Sequence, residues 1–187
     1  MKRGFKRIVI SLCLFFFAQS IFAQNPLKGL IITEVLLSEK NPSNSWIEIY
    51  NPTDDILTLE KLRLSTIRTV NMLDQEYRIN PGESVLVCFN DEQFRKTYSF
   101  KNIQTIECEL FKYLSDEGFI AITTKDNRET GGDIVYFKKE KTGLEKNVEN
   151  TVVFSKEKSF KRQIVQTKGQ IKLDQFQEAI PTPGTQF

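Results

Sequence analysis

Glu34 and Glu48 are the two side chains of this sequence best placed to perform acid–base chemistry together. Each one interrupts an apolar segment, residues 29–37 and residues 45–51. If these segments form neighbouring strands, the two carboxyl groups lie close together. Retaining glycosidases use two carboxyl groups about 5 Å apart, so glycoside hydrolysis is one hypothesis for this pair.

The alternative for both glutamates is a structural role. A buried carboxylate is satisfied by backbone N–H groups or by an arginine, and Arg63 and Arg162 are candidates for such pairing. We favour the structural interpretation because a catalytic pair also requires a cleft and a raised pKa, and the sequence indicates neither.

Histidine is absent from the whole chain. Its absence removes the commonest general base and the favoured zinc ligand. The sequence also lacks a G-x-S-x-G motif, a P-loop and a dinucleotide fingerprint. We therefore expect a protein that is not an enzyme and that holds no cofactor or metal.

Four residues around Gly131-Gly132 have side-chain oxygen atoms that could bind Ca²⁺, and they are Asp126, Asn127, Glu129 and Asp133. Their spacing does not match an EF-hand loop, and a hairpin turn that ends in the two glycines explains them more simply.

The segment WIEIY places two aromatic side chains on the same face as Glu48. In a strand, Ile47 and Ile49 point one way while Trp46 and Tyr50 point the other. Trp46 and Tyr50 are thus candidate ligand-binding residues that could stack on a sugar or a base. Burial in the core is the alternative, and we favour it because sandwich folds bury aromatic side chains routinely.

Short strand-like segments separated by turn residues fill the rest of the chain. They are predicted at residues 29–37, 45–51, 62–65, 76–79, 84–89, 119–124, 134–137, 151–154 and 160–166. Residues 91–98 form the one plausible helix, with Asn90 or Asp91 as its cap. This pattern predicts an all-β protein, an antiparallel β-sandwich with at most one short helix.

The N-terminus has the order of a secretory signal peptide. Four basic residues precede an apolar run at residues 8–17, and cleavage is predicted between Ala23 and Gln24. The alternatives are an uncleaved anchor and a form lipidated at Cys13, which lies inside the apolar run. Residues 1–23 are then removed, and residues 24–187 form one domain without a transmembrane segment. Cleavage lowers the count of basic residues from 26 to 22 against 24 acidic ones, which gives a net charge of −2. We expect a secreted or periplasmic, cell-envelope protein.

Several short motifs follow one another in a fixed order. They are ITEV at residues 32–35, WIEIYNP at 46–52, PGE at 81–83, SFKR at 159–162 and PTPGTQ at 181–186. This order resembles the lamin-tail domain family, in its secreted bacterial type, although residues 57–65 lack the family's Gly-Trp. The family positions are Glu34, Trp46, Glu48, Tyr50, Asn51, Pro52 and Gly82. The resemblance implies an immunoglobulin-like sandwich that acts as a non-enzymatic binding or architectural module.

Residues 138–172 are more basic than the rest of the chain, with ten Lys or Arg against four Glu. Such a segment attracts polyanions, and its candidate contacts are Lys138, Lys139, Lys161 and Arg162. Because glutamates separate these residues, a solvated surface is the favoured alternative. A protein or a cell-envelope polymer is the expected partner, and a polyanion is the second possibility.

Cys88 and Cys108 are the cysteines that remain after cleavage. Export permits a disulfide between them. Both have apolar neighbours in the sequence, where buried thiols are common, and we favour no bridge.

Overall fold

The computed structural model describes residues 29–65, 76–98, 103–124, 133–139, 151–155, 157–167 and 170–184. The predicted signal peptide and its predicted cleavage site lie outside this part of the chain, as do residues 125–132, where a turn was predicted, and the basic residues 140–150.

Thirteen strands and one α-helix are found among the described residues. The strands are β1 (Ile31–Leu36), β2 (Trp46–Tyr50), β3 (Leu57–Ser65), β4 (Tyr77–Ile79), β5 (Ser84–Cys88), β6 (Gln104–Glu107), β7 (Glu117–Thr124), β8 (Ile134–Lys138), β9 (Thr151–Val153), β10 (Ser159–Lys161), β11 (Ile164–Thr167), β12 (Gln170–Leu173) and β13 (Gln177–Ala179). The helix is α1 (Asp91–Thr97), and short 3-10 turns occupy Pro42–Asn44 and Glu109–Tyr113.

Two sheets pack face to face. The first sheet has the order β13-β10-β1-β2-β5-β6, the second has the order β4-β3-β7-β8-β9, and β11 and β12 form a separate hairpin. Between the sheets lies the inner core, which takes the inward side chains of both, such as Ile47 and Ile49 from β2 and Ile120 and Val135 from the second sheet. Ile47 and Ile49 lie two positions apart in β2, so both point to the same face of the strand, as the strand period of two requires.

The predicted all-β sandwich with one short helix is confirmed. Two strand pairs in the described residues depart from the predicted antiparallel arrangement, because β6 runs parallel to β5 and β9 runs parallel to β8. In both cases a longer connection, rather than a tight hairpin, separates the paired strands, which is what parallel pairing requires.

A second, smaller hydrophobic cluster covers the opposite face of the first sheet. This outer cluster consists of Leu36, Trp46, Leu86, Cys88 and Phe94, with Tyr98 and Ile103 packed against it. Helix α1 contributes Phe94, and it begins where the Asn90 side chain accepts a hydrogen bond from Gln93 N at 2.7 Å, an N-cap that the sequence predicted. Strand β5 is therefore buried on both faces, which explains why its sequence is apolar at consecutive positions.

None of the described helices has both the length and the apolar character needed to cross a membrane.

Candidate functional site

The β1–β2 ladder places Glu34 and Glu48 directly opposite each other. The register shifts between Ile32 and Glu34, so Thr33 forms part of a β-bulge. A bulge re-aims the side chains around it, and here Thr33 and Glu34 both come to lie near Glu48. The predicted proximity of the two carboxylates is therefore present, on the outer face of the first sheet.

Hydrogen bonds from β10 and from the C-terminal segment surround the carboxylate of Glu34. Its Oε1 accepts from Ser159 Oγ at 2.6 Å and from Thr182 N at 3.0 Å, and its Oε2 accepts from Thr182 Oγ1 at 3.1 Å. Lys161 Nζ lies 4.0 Å from Oε2 and also donates to Thr182 Oγ1 at 3.0 Å. Glu34 thus ties the C-terminal segment to the sheet.

Glu48 accepts hydrogen bonds from three directions. Its Oε1 accepts from Thr33 Oγ1 at 3.0 Å and from Ser84 Oγ at 3.2 Å, and its Oε2 accepts from Gly184 N at 2.8 Å. Burial raises the pKa of Glu48 above its ordinary value, and the negative charge of Glu34 raises it further, while the hydrogen bonds act in the opposite direction.

Residues 181–184 cross the outer face of the sheet and cover both carboxylates. Glu34 is 0% exposed and Glu48 is 1% exposed, and Pro183 between their two backbone donors is itself buried. The carboxylate oxygens of Glu34 and Glu48 are therefore closed off from a substrate in solution in this structure. The arrangement suits an anchor for the C-terminal segment, as the structural interpretation of the two glutamates anticipated.

The glycine that donates to Glu48 has a backbone conformation that favours glycine. Gly184 has φ +73°, and a Cβ atom there would lie 3.1 Å from Ile103 Cδ1. We expect Gly184→Ala to cost about 1–2 kcal/mol of unfolding free energy, mainly through the left-handed backbone. Urea unfolding followed by the fluorescence of Trp46, the single tryptophan, measures this cost.

Gly82 provides the matched control for that substitution. It has φ +72°, but a Cβ atom there meets nothing within 4 Å. Gly82→Ala should therefore cost a similar amount without changing the native emission of Trp46, whereas Gly184→Ala should shift that emission because Ile103 packs against the outer cluster. Unchanged stability in Gly184→Ala would contradict the anchoring role of the C-terminal segment.

Trp46 is 0% exposed and belongs to the outer cluster. Its ring centroid lies 6.0 Å from that of Phe94 and 5.9 Å from that of Tyr98, and its Nε1 donates to Tyr98 Oη at 3.4 Å. The hypothesis that Trp46 stacks on a ligand is therefore wrong, because helix α1 covers its face. Tyr50, at the end of the same strand, is half-buried.

Arg162 is also buried, at 1% exposed, so its assignment as a polyanion contact is wrong. Its guanidinium forms an ion pair with Asp133 Oδ2, and its Nε donates to Ile32 O at 2.6 Å. The same Asp133 oxygen accepts from Ile32 N at 2.7 Å. Arg162 and Asp133 thus hydrogen-bond to both backbone groups of Ile32 in β1, its C=O and its N–H. The ion pair also links the first sheet to the start of β8.

The other basic candidates lie in three different settings. Lys138 is half-buried, and Lys139 is exposed with its Nζ 3.2 Å from Asp116 Oδ1. Lys161 faces Glu34 and Thr182. The structure does not gather these residues into one patch.

The motif residues Asn51 and Gly82 hold two turns together. Asn51 Nδ2 donates to Asp55 O at 2.7 Å and to Ile79 O at 2.9 Å, while Asn51 Oδ1 accepts from Thr53 N at 3.0 Å across Pro52. Gly82 N donates to Asn51 O at 3.0 Å. These positions are therefore structural, and a buried Asn that satisfies backbone groups is the expected use of that residue type.

Cys88 and Cys108 are not joined by a disulfide within the described residues, as predicted. Cys88 belongs to the outer cluster and Cys108 to the inner core, so their side chains point to opposite faces of the sheet. Burial raises the pKa of the Cys88 thiol to about 12, which keeps it protonated and unreactive at neutral pH.

The sequence did not identify the groups that complete the carboxylate site. Thr33, Ser84 and Ser159 are small hydroxyl residues within or at the start of apolar strands, and that pattern is a usable signal for hydrogen bonding to a buried acid. Thr182 and Gly184 carry no such signal, because their contacts with Glu34 and Glu48 span 148 and 136 residues.

No three or more His, Cys, Asp or Glu residues in the described part of the chain group together as metal ligands. Comparison of the chain with protein-family models, with curated proteins and with solved structures finds no match.

Proposed function

We propose that this chain is an exported, non-enzymatic module of the lamin-tail type that binds or organises another macromolecule at the cell envelope or outside the cell. The observation that carries the proposal is the state of the carboxylate pair. Glu34 and Glu48 are buried at 0% and 1% exposure and accept hydrogen bonds from backbone N–H groups of residues 182 and 184. The two residues best placed for catalysis therefore bind the C-terminal segment to the first sheet.

The positions of the motif residues support the lamin-tail part of the proposal. Glu34 and Glu48 anchor the segment that carries the PTPG motif, and Asn51 binds the turn that contains Gly82. Each motif therefore contacts another motif that is distant in sequence. Motifs that contact one another are expected to occur together in the members of a family. Motifs that resemble a family by chance are not expected to contact one another.

Export remains a proposal that rests on the N-terminal sequence. Intact-mass measurement of the protein from an exporting host should give a chain that begins at Gln24. A mass that retains residues 1–23, or a lipid adduct on Cys13, would contradict this part of the proposal.

A binding module and a hydrolase differ in a direct assay. The purified protein should co-sediment with isolated cell-envelope polymer and should release no soluble sugar or nucleotide from polysaccharides and nucleic acids. Glu34→Gln and Glu48→Gln are the decisive variants. Turnover by the wild type that either substitution abolishes would refute the proposal, and Glu157→Gln, at an exposed glutamate, serves as the control.

The polyanion alternative receives less support from the structure. Arg162 is paired with Asp133 inside the protein, Lys139 lies beside Asp116, and Lys161 lies beside Glu34. These carboxylates offset the positive charge of the basic segment where it is described. Binding to DNA that weakens steeply as salt rises would be the result in its favour.

A further inference from the structure

A groove of about 500 Å³ lies at the edge of the first sheet, where the β11–β12 hairpin departs from β10 and the chain returns as β13. Lys161, Gln163 and Ile164 line one side of it, and the other side is lined by Asp174, Gln175, Gln177, Glu178 and Ala179. Its volume falls within the range of about 300–1,000 Å³ that is typical of ligand pockets in proteins. The groove does not include Glu34 or Glu48, although Lys161 borders both the groove and Glu34.

Buried anchors hold both sides of this groove in place. Phe176 packs against the inner core, and the guanidinium carbon of Arg162 lies 4.8 Å from the centre of its ring. Asp174 N donates to Gln163 O at 3.1 Å, which closes the base of the hairpin. Strand β13 is paired with β10 along its whole length. A site whose walls are fixed before the ligand arrives loses less entropy on binding.

The side chains that line the groove carry both kinds of hydrogen-bonding group. Three are carboxamides, two are carboxylates and one is an ammonium group, and they are Gln163, Gln175, Gln177, Asp174, Glu178 and Lys161. A carboxamide donates and accepts, a carboxylate accepts and an ammonium group donates. Glu178 is paired with Lys158, and Lys161 already donates to Thr182, so a ligand would meet mainly the carboxamides and the Asp174 carboxylate. A ligand that satisfies these groups must offer donors and acceptors together, as a hydroxyl group does.

The charge of this lining argues against an anionic ligand. The Asp174 carboxylate repels a phosphate or sulfate group, and the charges of Glu178 and Lys161 are offset by Lys158 and Glu34. Ile164 and Ala179 add an apolar part to the lining, which suits the C–H face of a sugar ring. The groove is also open at the sheet edge, where the three glutamines are exposed and a polymer has room to extend.

We propose that this groove binds a neutral saccharide chain. The inference rests on the proposed function, because it names the polymer class that the exported module would bind. The three carboxamides and the Asp174 carboxylate hydrogen-bond to sugar hydroxyl groups, and Ile164 and Ala179 contact the ring. An extended peptide added as a strand alongside β13 is the competing occupant, and its binding would depend on backbone groups instead of on these side chains.

The test uses isothermal titration of the whole exported protein with neutral oligosaccharides. The probes are β-1,4-linked glucose, xylose and N-acetylglucosamine oligomers and α-1,4-linked glucose oligomers. We expect at least one of these series to bind, with an affinity that rises with chain length and does not change with salt. Gln177→Ala and Asp174→Ala should each weaken binding about tenfold, because each removes hydrogen bonds to the ligand. Gln93→Ala, an exposed carboxamide on α1, is the matched control and should leave affinity unchanged.

The possible results separate the groove from the general function. Absence of binding by every neutral series would overturn the inference, as would affinity that Gln177→Ala and Asp174→Ala do not alter. Binding confined to sulfated oligosaccharides, or to an extended peptide, would overturn it as well. If the groove variants still co-sediment with envelope polymer, the proposed function stands and the groove inference alone fails. If the titrated oligosaccharide is cleaved, the non-enzymatic function itself fails.

Discussion

Replacing Arg162 with methionine is expected to lower the free energy of unfolding by about 3–5 kcal/mol, the usual cost of removing one partner from a buried ion pair. The loss arises because Asp133 would keep its charge in a site that is only 12% exposed, and because Ile32 O would lose its hydrogen bond from Arg162 Nε. The midpoint and slope of urea unfolding, followed by circular dichroism, measure the change.

The control for this substitution is an ion pair on the surface. The pair Lys139–Asp116 has side chains that are 45% and 82% exposed, and Lys139→Met should change stability by less than about 1 kcal/mol. If Arg162→Met fails to fold, Arg162→Lys keeps the charge and removes the fork of donors, so it should unfold at lower urea than the wild type. Equal effects of Arg162→Met and Lys139→Met would show that the buried pair does not hold the sheets together.

Local sequence pattern predicted most of the strands that bury side chains, although the strand predicted at residues 62–65 left out the buried Leu57 and Leu59 of β3. In WIEIY the alternation correctly places Ile47 and Ile49 in the inner core and Trp46 on the other face. The pattern could not decide whether that other face is covered, because the cover comes from Phe94 on α1 and from Ile103. Whether Trp46 is exposed depends on segments elsewhere in the chain, and the alternation within one strand carries no information about them.

Strands with few apolar residues were missed. Strand β6 has one buried apolar side chain, Ile106, and β13 consists of Gln177, Glu178 and Ala179 at the edge of the sheet. Edge strands bury one face at most, so their sequences carry little hydrophobic periodicity. The groove beside β13 was missed for the same reason, since glutamines distributed over a surface produce no motif.

The carboxylate site was predicted in part. Two acidic residues within apolar segments indicated that Glu34 and Glu48 could meet, and they do meet across the β1–β2 ladder. Their donors could not be predicted, since the bulge at Thr33 shifts the register and Thr182 approaches from the far end of the chain. Every residue except proline has a backbone N–H group, so a long-range contact made by such groups cannot be recognised from the residue types.

Glu48→Ala is expected to lower the free energy of unfolding by about 3 kcal/mol, because buried donors without an acceptor cost about 1–3 kcal/mol each. The substitution would strand the hydroxyl groups of Thr33 and Ser84 and the N–H group of Gly184. Glu48→Gln is the matched control, since an amide oxygen still accepts from Gly184 N and its NH₂ group donates to the hydroxyl oxygens. Urea unfolding of both variants beside the wild type tests the difference.

The same variants should reveal the buried charge through the pH dependence of stability. Burial raises the pKa of Glu48 above its ordinary value of 4.5, so between that value and the raised one the folded protein binds more protons than the unfolded chain. The wild type should therefore gain stability relative to Glu48→Gln as pH falls from neutral towards 4.5, and the difference should level off below it. Because every other group is shared, this difference isolates Glu48. A wild type that instead loses stability relative to Glu48→Gln as pH falls would mean that the hydrogen bonds outweigh burial. The pKa of Glu48 would then be lowered, and its charged carboxylate would stabilise the C-terminal segment.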